Sequence, residues 1–530
     1  MAVDTMDAAQ VFEEKMSARM KPLNELIARG NSAVQQFYSG STVFLTGGSG
    51  FLGKQLIEKL LRATNVSKIF ILLRNKKGKS IEERLIEMLE DPLYETVREQ
   101  QPKFEKKLVP VSGDVAELRL GLSDKDWDAI TEQVDIVFHL AATTRFDESL
   151  RVATMINVRG TREVLILGKA CKTLRSFVYV STAYSNAIAD RVDTEISETF
   201  YKSPINPHTM IEIAETVDES KINDITPGLI KKWPNTYTFA KSIAEELVST
   251  LGNGLPISVV RPAIVIAAKH EPIPGWVDMS CIYGASGLVT AIGTGLMHTL
   301  MAGQFTQLDL VPVDYVNNVI LAAGWETARK RVTGENETKI YTVSASRNPV
   351  TWGKLRIIME TDGRKYSSPM AIGYGWVWCS MNPILFWIQS WLLHLIPAYI
   401  IDGICVILGK KKRFAKLATK MYKMSAALSY FLCNQWQFDD QNTEKLFNSL
   451  SKNDRYIFNF DMKDVDWKVH MVTWIIGLRK YILKDGLVNT TYAYRKSRVM
   501  KALTYIILPL YFYCLFRIFC FALSLLLMFW

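Results

Sequence analysis

Residues 43–56 read VFLTGGSGFLGKQL, and the reading of this stretch decides the fold. An apolar run, Val43 to Thr46, enters a turn containing Gly47, Gly48 and Gly50. A helix-like pattern, FLGKQLIEKLLR, follows from Phe51. Gly47, Gly50 and Gly53 give the spacing GxxGxxG. Residues without Cβ permit the tight turn and let the backbone approach a pyrophosphate closely. The helix N-terminus behind it offers unbonded N–H groups and the positive end of a dipole. In a strand–turn–helix context the triplet points to nucleotide binding. Ser49, Phe51 and Leu52, interleaved with the glycines, belong to the same expected cofactor-binding set.

Working outward, short apolar runs alternate with helical stretches. The further runs are KIFILLR from Lys68, KLVPVSGD from Lys107, DIVFHLAA from Asp135, SFVYVSTA from Ser176 and PISVVRPAIV from Pro256. Runs this short, bounded by Gly, Asp and Pro, predict buried strands. The intervals between them accommodate crossover helices, so the expected class is α/β with a doubly wound parallel sheet. The second strand ends in ILLRNKKGK. An NAD site typically places Asp or Glu there to hold the ribose hydroxyls. Here Arg74, with Lys76 or Lys77, attracts a 2′-phosphate instead, which favours NADPH.

The chain has 530 residues, 48% of them hydrophobic and 22% charged, with a formal net charge of +10. That composition excludes a disordered chain, and the length exceeds one ordinary domain. The positive balance suits an anionic partner. Nucleic acid is the weakest candidate, since there is no basic stripe with interleaved aromatics and no zinc-finger spacing. The seven cysteines are scattered and never in CxxC, and the six histidines show no metal-ligand spacing, which points to a reducing compartment and no metal. The N-terminus, MAVDTMDAAQVFEEKM, lacks a secretory pattern. The Asn-x-Ser/Thr triplets at Asn65, Asn336 and Asn489 are then unused.

Tyr237 and Lys241, in YTFAK, share a helix face at i and i+4. A lysine ammonium beside a phenol favours the phenolate, so Tyr237 is expected to donate a proton near neutral pH. Thr182 follows the strand that ends in Ser181, where a hydroxyl can meet a substrate carbonyl oxygen.

Two segments read as apolar. Residues Trp376 to Ile401 carry no Asp, Glu, Lys or Arg, and Leu503 to Trp530 carry only Arg517. The latter exceeds the ~20 apolar residues that span a bilayer core. It follows Arg495, Lys496, Arg498 and Lys501, so a C-terminal membrane anchor with a cytosolic flank is expected. Arg517 costs roughly 2.5–3.5 kcal/mol on insertion scales, or marks a hairpin tip, or faces a partner helix. The first segment has basic residues on both sides, Arg364 and Lys365 before and Lys410 to Arg413 after. A re-entrant or interfacial hairpin is therefore favoured over a single span. The expected organisation is an arm over 1–40, a catalytic domain over 41–350, a membrane-associated segment over 376–409, a helical C-terminal domain over 410–500 and an anchor over 503–530.

Taken together, TGGSGFLGK, HLAATTRFDESLR, INVRGT, VYVSTAYSN, YTFAKSIAEE, VVRPAIV, EPIPGWVD, DLVPVDYVNN and the later NQWQFDDQNTEKLFNSLSKNDRYIFNFD resemble the alcohol-forming fatty acyl-CoA reductases, a branch of the extended short-chain dehydrogenase/reductases. The resemblance covers nearly the whole chain. It implies catalytic roles for Thr182, Tyr237, Lys241 and Asn157, the last supporting a proton relay with Lys241. It also implies that Asp114 sits near the adenine with Val115 beside it, and that Ala141 and Ala142 line the cofactor. Arg261 and Pro262 would shape the site. Ser49 stands where many members carry Thr. The implied reaction consumes a long-chain acyl-CoA and two NADPH and yields a primary alcohol and CoA through an aldehyde. The acyl pocket is expected around EPIPGWVD and the residues after Asp278. The resemblance also implies a membrane location, with the endoplasmic reticulum favoured and the peroxisomal membrane as the alternative. Other readings are an extended dehydrogenase acting on a sterol or sugar nucleotide, a reductase that stops at the aldehyde, and a non-enzymatic membrane scaffold.

Overall fold

The structure, a computed structural model, describes residues 6–75 and 78–528, with side chains to residue 525. Seven parallel strands form the central sheet: β1 Thr42–Thr46, β2 Lys68–Leu73, β3 Leu108–Ser112, β4 Ile136–His139, β5 Ser176–Val180, β6 Ile257–Pro262 and β7 Lys339–Val343. Their spatial order is β3-β2-β1-β4-β5-β6-β7. The sheet is thus doubly wound, with the chain reversing direction between β1 and β4, where such folds open a ligand crevice beyond the strand C-termini. The first six strands are the runs read from the sequence. The seventh, KIYTV, was not among them, although β-branched and aromatic residues fill it. Both faces of the sheet are covered: Val43, Leu45, Ile69 and Ile71 belong to one core, Phe44, Phe70, Val137 and Phe177 to the other.

Helix α1, Phe51–Ala63, leaves the glycine turn and is buried over most of its length. Helix α2, Gly160–Ala170, and helix α3, Thr236–Thr250, cover the opposite face, and α3 carries Tyr237 and Lys241. Helix α4, Val313–Val332, packs on the same face as α1.

Of the arm expected over 1–40, Ala8–Ala18, Lys21–Ala28 and Ala33–Tyr38 are helices built into the body. Tyr38 donates to the Leu321 carbonyl at 2.7 Å, and the Val34 N–H donates to Asp454 at 3.1 Å. The C-terminal block is equally integrated. Arg347 pairs with Asp440 at 3.0 Å, and Glu198 accepts the N–H groups of both Thr342 (2.7 Å) and Asn442 (2.5 Å).

Pro383–Ile407 is one helical segment of 25 residues rather than a hairpin in itself. A π-helical stretch at Trp391–Leu395 precedes Pro397, absorbing the missing N–H of the proline. The chain then turns at 408–413 and returns through helix α5, Phe414–Cys433. Before this excursion Trp378–Cys379 pairs with Thr299–Leu300, and after it Gln437–Phe438 pairs with Glu195–Ile196. The segment therefore leaves and rejoins the same body. Helix α6, Trp467–Gly477, follows. The last helix, α7, Thr490–Met528, is continuous through Arg517, so that residue marks no hairpin tip; its Nη1 donates to the Tyr513 hydroxyl at 3.0 Å. Two segments, Pro383–Ile407 and Thr490–Leu525, are long and apolar enough to cross a membrane, and the apolar window of the second is not buried in the protein.

Candidate active site

The glycine turn sits at the C-terminal end of β1, at the switch point. Gly47 has φ +76°, and a Cβ there would lie 2.7 Å from the Ala141 nitrogen. A Cβ on Gly53 would lie 2.2 Å from the Gly47 carbonyl oxygen, so α1 packs on the turn only because Gly53 has none. Gly48 was not singled out from the sequence; a Cβ there would lie 2.7 Å from Ile71. Gly50 differs: its Cβ would meet only the Gly47 oxygen, at 3.3 Å, and it is exposed. Gly50 is also the N-cap of α1 and makes no side-chain cap bond. An open cradle at a helix N-terminus without a capping side chain fits a pyrophosphate. Ser49 is exposed, and Phe51 and Leu52 are half-buried at the start of α1. The cradle thus suits the nicotinamide dinucleotide expected here.

At the end of β2, Arg74 donates to Asp114 at 3.3 Å, and its own carbonyl accepts from Arg84. Two arginines therefore stand at the end of β2, Arg84 anchored on the backbone of Arg74. The neighbouring Arg74 charge, added to partial burial, pulls the Arg84 pKa down. Arg84 carried no motif that would have marked it. Lys77 lies outside the described residues. Asp114 also accepts the Ala116 N–H at 3.0 Å. Val115 is buried, and Gly160 fits against its carbonyl, where a Cβ would sit at 2.9 Å.

Ala141 and Ala142 follow β4, half-buried. The Ala141 N–H donates to the Thr46 hydroxyl at 3.2 Å, and that hydroxyl lies 2.7 Å from His139 Nδ1. His139 Nε2 lies 3.1 Å from the Thr161 hydroxyl, which donates to the Asn157 carbonyl at 2.7 Å. Thr161 spends its proton on Asn157, so His139 carries its proton on Nε2 and accepts at Nδ1. Burial, with the Lys241 charge nearby, holds the His139 pKa down at about 3. The Asn157 side chain is committed elsewhere: it accepts the Thr143 N–H at 2.9 Å and donates to the Thr143 carbonyl at 3.0 Å. It fixes the loop after β4 and touches Lys241 only through a chain of groups. Lys241 Nζ reaches the Tyr179 hydroxyl at 3.3 Å, and Thr161, near Tyr179, donates to the Asn157 carbonyl.

Tyr237 and Thr182 are brought together: burial pushes the phenol pKa up to about 12, and the nearby Thr182 hydroxyl draws it part of the way back. Thr182 also donates to the Pro262 carbonyl at 3.3 Å and accepts the Tyr184 N–H at 3.3 Å. The expected lowering of the phenol by Lys241 is not what the geometry provides. The ammonium donates to the Val180 carbonyl at 2.8 Å as well as to Tyr179. Burial brings Lys241 down to about 7, with the Glu245 carboxylate opposing. Tyr237 is therefore a neutral acid at neutral pH, and Lys241 is the group poised there. Tyr179, which accepts from the Lys241 ammonium, was missed from the sequence because it looked like one more strand residue.

Behind the site, Arg261 forms a buried pair with Glu245 at 2.6 Å and donates to the carbonyls of Ser197 and Thr199. Glu245 also accepts from Ser181 and Ser185. This network braces the β5 end that presents Thr182. In front, Phe146 stacks near Tyr237 at 6.2 Å between ring centroids, Phe431 of α5 lies 5.4 Å from Phe146, and Tyr184 contacts Phe431 and Phe438. The aromatic wall over Tyr237 thus comes partly from the C-terminal region. In EPIPGWVD, expected around the acyl pocket, two side chains also link elements of the fold. Glu271 pairs with Lys59 at 2.6 Å and Arg62 at 2.9 Å, and the buried Trp276 donates to Asp91 at 3.1 Å.

A doubly wound sheet with a glycine cradle, a Tyr–Lys pair and a threonine at the strand end defines a nicotinamide-dependent oxidoreductase of the extended short-chain dehydrogenase type. Comparison with known proteins narrows this. An NAD-binding family model described as male sterility protein matches residues 45–320, and a second model with the same description matches 393–485. The chain is 37% identical to "Fatty acyl-CoA reductase wat" of Drosophila melanogaster, covering 91% of this chain and 92% of that protein. It is 33% identical to "Fatty acyl-CoA reductase 2" of Homo sapiens, covering 90% and 91%. Among solved structures, the terminal R domain of the myxalamid PKS-NRPS pathway aligns with a TM-score of 0.56 at 22% identity, over 84% of this chain and 93% of that one. The chain belongs to the fatty acyl-CoA reductase family.

Proposed function

We propose that this protein reduces long-chain fatty acyl-CoA to the primary alcohol and CoA with NADPH at a membrane surface. The observation that carries the reading is that Tyr237, on α3, faces the Thr182 hydroxyl at the end of β5, beside the glycine cradle and beneath aromatic side chains. When bound, the dihydronicotinamide supplies the hydride, one per reduction and two per alcohol. The chain's own residues do the rest. The Tyr237 hydroxyl, and that of Thr182 once it turns from the Pro262 carbonyl, donate to the thioester carbonyl oxygen as negative charge develops on it. Tyr237 gives up its proton, and the resulting hemithioacetal collapses to an aldehyde as the CoA thiolate leaves. The same hydroxyl pair then meets the aldehyde oxygen, and Tyr237 protonates it to the alcohol. In the first reduction the hemithioacetal hydroxyl returns its proton to Tyr237 as the thiolate leaves; after the second, Tyr237 is reprotonated from Lys241, one helical turn away on α3, and solvent. Arg74 and Arg84 hold the 2′-phosphate, and the phenyl rings of Phe146 and Phe431 exclude water.

The membrane reading rests on the exposed apolar surface of Pro383–Ile407 and of α7. The first lies in the interface, the second anchors the chain, and the catalytic body faces the cytosol, with the endoplasmic reticulum favoured.

Membrane fractions carrying the wild-type chain or Tyr237→Phe, given hexadecanoyl- or octadecanoyl-CoA with NADPH or NADH, test this. Alcohol from wild type with NADPH, and activity reduced by ~10²–10⁴-fold in the variant, are expected for loss of a general acid. Aldehyde as the end product limits the reaction to its first half. Undiminished alcohol from the variant removes Tyr237 from its role.

A further inference from the structure

From Gly403 to Phe438 the chain contains no Asp or Glu, yet carries Lys410, Lys411, Lys412, Arg413, Lys416, Lys420 and Lys423. All seven cations are exposed, and none forms an ion pair among the described residues. Lys416, Lys420 and Lys423 fall at i, i+4 and i+7 on α5, so they form one stripe. The nearest acid in sequence, Asp402, is buried and used up: it accepts the N–H groups of Arg413, Phe414 and Ala415 at 2.9–3.0 Å. That closes the turn and fixes α5 against Pro383–Ile407, where Leu395 and Ala398 pack on Ala418. The limb packed against this stripe is apolar and exposed, with Ile384 at 69% and Ile407 at 85% accessibility, and with Trp387 and Trp391 in contact at 5.8 Å. A basic stripe beside exposed aliphatic and tryptophan side chains is the pattern of a surface that lies in a lipid interface.

We propose that the hairpin formed by Pro383–Ile407 and α5 docks on an anionic phospholipid leaflet, its apolar limb entering the acyl boundary and its cations meeting the headgroup phosphates and carboxylates. The proposal rests on the membrane reading above and names the lipid class and the residues. Charge complementarity selects the partner, since seven unpaired cations with no intervening acid attract an anionic surface and are indifferent to a zwitterionic one. The helix also has a functional bearing. Phe431, at its far end, is part of the wall over Tyr237, about 22 Å along the axis from Lys416 at 1.5 Å per residue. One helix therefore links the basic stripe to the aromatic wall over Tyr237. Tyr283, Met279 and Ile282 are exposed, and Lys420 lies 5.0 Å from the Tyr283 ring.

The test is an amine-reactive footprint of the full chain reconstituted in nanodiscs of pure phosphatidylcholine, or of phosphatidylcholine with phosphatidylserine, read by mass spectrometry. Labelling of Lys410, Lys411, Lys412, Lys416, Lys420 and Lys423 should fall several-fold in the anionic discs, while the exposed Lys125 and Lys169 keep their labelling. The triple variant Lys416→Gln/Lys420→Gln/Lys423→Gln should lose most of the protection at Lys410–Lys412, and the corresponding Arg variant should keep it. Equal labelling in both lipids overturns the proposal. So does protection in phosphatidylcholine discs on adding free CoA, which would assign the cations to substrate phosphates. A chain that fails to associate with discs of either composition overturns the membrane reading itself.

Discussion

The glycines of the opening turn differ in what a single methyl group would do, and this separates folding from binding. At Gly53 a Cβ would lie 2.2 Å from the Gly47 oxygen and 2.6 Å from the Gly48 Cα, both backbone atoms. Contacts below 3.0 Å are not tolerated, so α1 must move away from the turn by about 0.8 Å to open the 2.2 Å contact to 3.0 Å. Overpacking of this kind costs about 1–3 kcal/mol. At Gly50 the backbone is extended, φ −88° and ψ 176°, which alanine adopts freely, and the only close contact is at 3.3 Å. Gly50→Ala should therefore fold normally, with a loss of at most about 1 kcal/mol from the weaker N-cap. Its methyl group nevertheless projects into the space left for the pyrophosphate. Displacing the phosphate from one N–H forfeits a charge-assisted hydrogen bond worth roughly 1.5–3 kcal/mol, or about 10–100-fold in affinity. Thermal unfolding in detergent measures the first effect and titration of NADPH fluorescence the second. The expected pattern is a lowered midpoint for Gly53→Ala, and a near wild-type midpoint with weak NADPH binding for Gly50→Ala. Wild-type affinity in Gly50→Ala would refute the placement of the pyrophosphate. A wild-type midpoint in Gly53→Ala would refute the close packing of α1 on the turn.

Other consequences follow from buried and paired charges. Lys59, Arg62, Glu58 and Glu271 form a buried, neutral quartet; Lys59 also donates to the Ile457 carbonyl at 2.7 Å. Glu271→Gln leaves it one charge out of balance and should lower stability by about 3–5 kcal/mol, whereas Glu271→Met/Lys59→Met, which removes both partners, should recover most of that in thermal unfolding. Arg84→Ala and Arg74→Ala should each raise KM for NADPH by about 10–100-fold, one charge-assisted contact, and leave KM for NADH unchanged; equal effects on both cofactors would disprove the 2′-phosphate assignment. Burial lowers Lys241 to about 7, so its charged form is present below that pH and lost above it; kcat/KM should fall tenfold per unit on the alkaline side, and a profile flat to pH 9 would remove the ammonium from the rate. His139, lowered from 6.5 to about 3 by burial, is neutral in the fold and protonated first in the unfolded chain; stability should thus decline by about 1.4 kcal/mol per unit from this residue as pH falls from 6.5 towards 3, and His139→Gln should flatten that slope in acid-titrated unfolding.

Much of the catalytic layer was legible in the chain because its determinants are local. The turn at Gly47–Gly53 needs residues without Cβ at fixed spacing, six of the seven sheet strands are short apolar runs with clear boundaries, and Tyr237 and Lys241 share a helix face through their spacing alone. Thr182 was placed by its position at a strand end. β7 escaped because KIYTV follows a polar stretch and carries no motif of its own.

What the sequence by itself determined was the order of these local units, and therefore the doubly wound sheet and the general position of its crevice. What only the tertiary structure decided were relations between residues far apart in the chain. Arg84 reaches Arg74 because a helix folds back over the end of β2, and Tyr179 accepts from Lys241 because β5 and α3 are adjacent. The Lys241 ammonium turns to the Val180 carbonyl, so burial rather than a neighbouring cation sets the acidity of Tyr237. EPIPGWVD, chemically suggestive as a pocket, spends its glutamate and tryptophan on holding α1 to the rest of the protein. Phe431 reaches the catalytic tyrosine from a region of the chain with no nucleotide-binding motif. Burial, pairing and pKa depend on distances that sequence spacing does not encode, and those distances are fixed only when the helices close over the sheet.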